Sequence, residues 1–122
     1  LPARAAAMGE KMRAGFVKLA ERHEMIGDVR GRGLAIGVDL VASRETCAPV
    51  DATMTAKVIY RAYELGANFL YVGLNANVLE ITPPLTVSEA EIEEGIDIID
   101  RALGDAASGV VADQSVQAFM NW

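Results

Sequence analysis

The side chains able to do chemistry are few and scattered. Three lysines, Lys11, Lys18 and Lys57, fit solvated helix positions better than the desolvated pocket that an imine-forming lysine needs. His23 is the one histidine. It has no second imidazole and no ligand cluster near it in sequence, so it reads as a surface histidine at a helix C-terminus, where a cationic ring suits the dipole. Cys47 is the one cysteine. A nucleophilic thiol needs a basic neighbour, and the sequence offers none closer than Arg44. Arg30 and Arg32, set among Gly31, Gly33 and Gly37, could hold an anion. The carboxylates Glu89, Glu91, Glu93 and Glu94 crowd one helix start. Acid enrichment in a first turn is an ordinary start signal, so this reads as a solvated, dipole-stabilised face rather than a metal site. No Ser/His/Asp or Cys/His arrangement and no metal-ligand spacing is present.

The elements that must position these residues are easier to read. Residues 3–22 form a helix, with Met8, Met12, Phe16, Leu19 and Ala20 on one face. Pro2 suits its first turn. Gly9 and Gly15 weaken it by about 1 kcal/mol each relative to alanine, so packing must support it. Residues 27–42 alternate through Leu34, Ile36, Val38 and Leu40, as a strand with one buried face does. The three glycines there do not fit G-x-G-x-x-G and run into a strand rather than opening a helix. They mark a bend or bulge with close backbone packing.

A polar loop follows at 43–51. Asp51 caps the next helix, whose apolar stripe is Met54, Val58, Ala62 and Leu65, with Gly66 at its C-terminal end. Residues 68–72 and 78–82 form an antiparallel hairpin around the turn Gly73–Asn77. The second strand sets Leu79 and Ile81 on one face and Val78, Glu80 and Thr82 on the other. Pro83 and Pro84 end it, since neither has an N–H to donate. Ser88 and Glu91 make a capping box, and Val87 with Ile92 a hydrophobic staple. The helix from Glu89 carries Ile92, Ile96, Ile98, Ile99 and Leu103, and Gly104 stops it. Asp113–Trp122 can add a helical turn with Val116, Phe119 and Met120 inward. The expected architecture is α+β: a small, mostly antiparallel three-stranded sheet with helices packed on one face.

Composition bounds the function. The 122 residues are one domain by length, 52% hydrophobic, with a net charge of −6. An acidic balance argues against nucleic acid. No apolar run approaches the roughly 20 residues that span a bilayer. A lone cysteine excludes an internal disulfide and points to a reducing, cytoplasmic setting. No signal peptide is visible, and the chain opens in a helical pattern without a starting methionine, as a piece of a longer chain does. On the residues alone this is a non-catalytic module or part of a larger enzyme.

Two motifs, Val29–Leu40 and Val78–Ile92, in this order and with a helix and the Gly66 turn between them, resemble the C-terminal small domain of class III pyridoxal-phosphate aminotransferases, the relatives of 4-aminobutyrate and ornithine aminotransferase. The resemblance covers residues 3 to about 104, which gives a small domain at 1–104 and a C-terminal extension at 105–122. It implies a fold-type I enzyme, a homodimer, that transfers an amino group from an amine or amino acid to a 2-oxo acid. The large domain with the pyridoxal 5'-phosphate lysine would lie upstream, so residues 1–122 bind no cofactor alone and are inactive alone. Many family members carry an arginine three residues before the first proline, where it holds the substrate carboxylate. Glu80 stands there in this sequence. It repels a carboxylate, so it either contacts an amine or pairs structurally with Arg30 or Arg32. The substrate-cleft candidates are therefore Glu80, Arg30 and Arg32. The competing expectations are a stand-alone α+β regulatory module with an anion site at Arg30 and Arg32, and a structural dimerisation domain.

Overall fold

A computed structural model describes residues 2–120, with side-chain burial described for 3–117. Helix α1 (Pro2–Arg22) leads into β1 (Ile26–Arg32), β2 (Ala35–Ser43) and β3 (Ala48–Pro49). Then come α2 (Ala52–Glu64), β4 (Leu70–Val72), β5 (Val78–Ile81), α3 (Glu89–Ala107) and α4 (Asp113–Met120). The sheet runs β1-β2-β5-β4, with β3 paired to β2, and every pairing among the described residues is antiparallel.

The α+β class stands, with five strands instead of three. The difference lies mainly in residues 26–43, which form a hairpin rather than one strand. Arg32 pairs with Ala35 across a two-residue turn. Gly33 takes φ +57 at its first central position, a conformation that glycine adopts without a Cβ clash. The alternation read from sequence is real on β2, where Ile36, Val38 and Leu40 are buried. The β1–β2 register also shifts between Ile26 and Asp28, a bulge at the foot of the hairpin. In the second hairpin Gly73 and Ala76 take positive φ.

One face of the sheet meets the helices. Val38, Leu40 and Leu79 are fully buried against Phe16 and Leu19 of α1 and Ile99 and Leu103 of α3. Each such side chain contributes about 1.5–3 kcal/mol by leaving water. The glycines of α1 mark close approaches. A Cβ on Gly9 would lie 1.8 Å from the Gly33 carbonyl oxygen, and one on Gly15 would lie 2.3 Å from Ile96 Cδ1. The weak helix positions are thus where α1 touches the β1–β2 turn and α3.

The caps form as the sequence dictates. Asp51 Oδ1 accepts from the Met54 N–H at 2.9 Å, and Gly66 follows the end of α2 with φ +108. Gly104 does not stop α3, which continues to Ala107, caps at Ser108 and turns at Gly109 with φ +84. The reason is packing: Ala106, two residues past Gly104, is buried in the core. Helix α4 packs on α2 through a small second cluster of Ala56, Val111 and Val116. The inward placement expected of Phe119 and Met120 falls outside the described side chains, and Trp122 falls outside the described residues.

Candidate functional site

The site is built on β5. Its pleat buries Leu79 and Ile81 and turns Val78 and Glu80 to the other face. Pairing then decides what Glu80 sees. Gly37 of β2 lies across from it on one side and Leu70 of β4 on the other. Arg30 of β1 lies across from Gly37. The four residues Arg30, Gly37, Glu80 and Leu70 make one row across the sheet.

Arg30 does not use that row to reach Glu80. Its side chain lies over Gly37, with Cγ 3.8 Å from where a Cβ would stand. Its Nη1 donates to Asp39 Oδ1 at 2.5 Å and to Asp28 Oδ2 at 3.4 Å. The hydrogen bond to Asp39, followed by the Asp39 charge and then Asp28, raises the guanidinium above its ordinary pKa despite some desolvation. The pairing of Glu80 with Arg30 or Arg32 that the sequence allowed does not form. Among the described residues the Glu80 side chain has no ion pair and no hydrogen bond, though the residue is partly buried, and the Arg32 side chain is exposed and likewise unpaired.

Glu80 lines a cleft of about 500 Å³ between the ends of β4 and β5 and the helices α1 and α3. The walls are apolar: Phe16, Phe69, Ile81, Pro83, Ile92 and Ile96 among them. Glu80 and Glu91 are its ionisable lining residues. Glu91 is occupied by the capping box, where its Oε1 accepts the Ser88 N–H at 3.0 Å and its own N–H donates to Ser88 Oγ at 3.1 Å. The rim is held from the far end of the chain. Arg4 of α1 donates through Nε to the Leu85 carbonyl at 3.3 Å and through Nη2 to the Val87 carbonyl.

The other candidates stand apart from this cleft. His23 is mostly buried, and its Nε2–H donates to Asp100 Oδ1 at 2.6 Å, while Arg22 reaches Asp100 Oδ2 at 3.0 Å. It joins the C-terminal end of α1 to α3 and is not the surface residue expected. Lys11 pairs with Glu89, and Lys57 pairs with Asp113. Lys18 is exposed on α1. Cys47 is exposed in a loop at φ +58. Among the described residues no group of three or more potential ligands is placed to hold a metal ion. No helix among them is long and apolar enough to cross a membrane.

Three residues that matter here escaped the sequence reading. Asp39 was legible in principle, since a turn at Gly33 sets it diagonal to Arg30. Arg4 and Asp100 carried no local signal, because their partners lie 83 and 77 residues away.

Comparison with known proteins adds four findings. Residues 1–103 match the family described as aminotransferase class-III. The chain is 45% identical over 105 residues to the leucine/methionine racemase of Thermococcus litoralis, covering 86% of this chain and 23% of that protein. It is 38% identical over 99 residues to the 4-aminobutyrate aminotransferase GabT of Escherichia coli, covering 81% and 23%. Among solved structures, an amine transaminase from an uncultivated Pseudomonas species in its PLP-bound form superposes with a TM-score of 0.78 at 28% identity, covering 86% of this chain and 23% of that one. The chain spans about a quarter of the length of the relatives it matches.

Proposed function

The chain belongs to the class-III aminotransferase family, and from that premise we propose that it forms the small-domain wall of the substrate cleft in a pyridoxal-phosphate-dependent aminotransferase. The observation that carries this reading is the match over residues 1–103, joined to a common fold with a PLP-bound amine transaminase. The reaction is transfer of an amino group from an amine or amino acid to a 2-oxo acid. Residues 1–104 make up the small domain and 105–122 an extension, a division supported by where the family match ends. It is not a flexible joint, because α3 runs through it.

The residues present do not fit the cofactor itself. Lys11 and Lys57 are held by carboxylates and Lys18 is exposed, and none of the three lines the β5 cleft. When bound, pyridoxal phosphate supplies the electron sink for the bond changes at the amino-bearing carbon. The lysine that carries it belongs to another part of the polypeptide. This chain supplies the apolar wall, the Glu80 carboxylate and the neighbouring Arg30 and Arg32. The assembly is a homodimer in the cytoplasm, and residues 1–122 alone are inactive.

A second reading is racemisation, favoured by the 45% identity to a leucine/methionine racemase. The two separate in one assay. The complete gene product, loaded with pyridoxal phosphate, is given an amine or an L-amino acid with and without a 2-oxo acid. Stoichiometric new amino acid that appears only with the 2-oxo acid establishes the aminotransferase. D-Amino acid formed without it establishes the racemase and refutes the first reading.

A further inference from the structure

We propose that the outer edge of β4 takes an extended segment of the same polypeptide from outside residues 1–122, which adds a strand to the sheet and lies over Ile59 and Tyr63 of α2. The inference rests on the reading of this chain as one part of a longer enzyme, and on no detail of its reaction. β4 is the last strand in the order β1-β2-β5-β4, and no strand among the described residues pairs with its outer edge. Alternate main-chain N–H and C=O groups along that edge point away from β5. The two edges of the sheet are built differently. β1, at the other edge, carries Asp28, Arg30 and Arg32 and a bulge, the devices that keep an edge from pairing. The stretch Asn68, Phe69, Leu70, Tyr71 and Val72 has no charge and no proline, and β4 pairs with β5 without a shift of register.

The helix layer is wider than the strand layer on this side. A groove of about 590 Å³ runs between α2 and β4, with Ile59 and Tyr63 on the helix and Phe69, Leu70 and Tyr71 on the strand side, and no charged residue lines it. Tyr63 is 65% exposed and Leu70 66%. Tyr71 pairs with Leu79 and shares its helix-side face, while Leu70 and Val72 lie on the other. A strand laid beside β4 therefore sets one row of side chains over Ile59 and Tyr63 and the alternate row beside Leu70 and Val72. Uncharged residues, apolar at alternate positions, fit both rows. The strength of the contact decides where the strand comes from. β4 has three residues, so the new main-chain hydrogen bonds are few, and each contributes little net. A separate molecule must also give up its translational and rotational freedom, whereas a tethered segment has already lost most of it. The relatives extend well beyond this chain, which covers 23% of the racemase and 23% of GabT.

The test uses the complete gene product carrying Tyr63→p-benzoylphenylalanine. Irradiation, a denaturing gel and mass spectrometry of the peptides locate what lies on this position. The expected result is a cross-link within one chain to a single contiguous segment outside residues 1–122. A cross-link to a second copy, seen as a dimer on the gel, overturns the proposal, and so does one confined to residues 1–122 or none at all. Hydrogen exchange on the unsubstituted gene product needs no variant. Pairing on one side only leaves at least one of the Leu70, Tyr71 and Val72 amides facing away from β5, whereas an added strand slows all three by roughly a hundredfold or more relative to an unstructured peptide. Exchange at the unstructured rate at any of the three overturns the added strand. Neither readout involves amino transfer. A gene product that proves to be a racemase leaves the inference standing, and an aminotransferase with a freely exchanging β4 amide refutes the inference alone.

Discussion

A Cβ at Gly9 would stand 1.8 Å from the carbonyl oxygen of Gly33, so the first helix rests directly on the turn of the β1–β2 hairpin. Neither atom can yield cheaply, since one side is helix backbone and the other is the turn. Gly9→Ala ought to gain about 1 kcal/mol of helix propensity. It is instead expected to destabilise by about 1–3 kcal/mol, because α1 must lift off the turn. Urea midpoints measure this, and a stabilised variant would show that the contact is slack.

Asp100 is the meeting point of two cationic or donor side chains, His23 at 2.6 Å and Arg22 at 3.0 Å. Its side chain is 25% exposed, against 63% for Arg22. Asp100→Asn removes the charge from a partly buried hub and should cost about 1–3 kcal/mol. Arg22→Ala removes only a solvated partner and should stay within about 0.5 kcal/mol. Equal effects in chemical denaturation would mean that the histidine contact contributes nothing.

Arg4 fastens the segment that carries the cleft rim. Its guanidinium spans the Leu85 and Val87 carbonyls, a geometry that a lysine ammonium cannot copy. In Arg4→Lys and Arg4→Ala, the Val87 amide, which bonds the Pro84 carbonyl at 3.0 Å, should exchange with solvent roughly tenfold faster. Amides in the β1–β2 hairpin should keep their rates. Unchanged exchange at Val87 would show that the double proline alone holds the rim.

Helix α4 docks through Val116, which is fully buried beside Ala56 and Val111. Val116→Ala removes two buried carbon centres and leaves a cavity, so a loss of about 2 kcal/mol is expected. Protease nicking near residue 110 should rise in parallel. A neutral substitution would indicate that the extension contributes nothing to the stability of the domain.

Local physics wrote much of this fold into the sequence. The Asp51 and Ser88 caps, the Gly66 stop and the alternation through Val38 and Leu79 each depend on residues a few positions apart, and each is found where expected. The hairpin at Gly33 was masked because Leu34 continues the apolar alternation across the turn and is itself buried. The stop expected at Gly104 failed because burial of Ala106 outweighs one glycine.

The sequence by itself determined that Glu80 lies on the polar face of its strand, because a pleat leaves no other choice. Whether that carboxylate is spent or free is decided by long-range register. With Gly37 set between them, Arg30 folds over the glycine onto Asp39, and the Glu80 carboxylate is left without an ion pair among the described residues. No spacing within β5 encodes that outcome, since three strands must pair before the competing carboxylates can be compared.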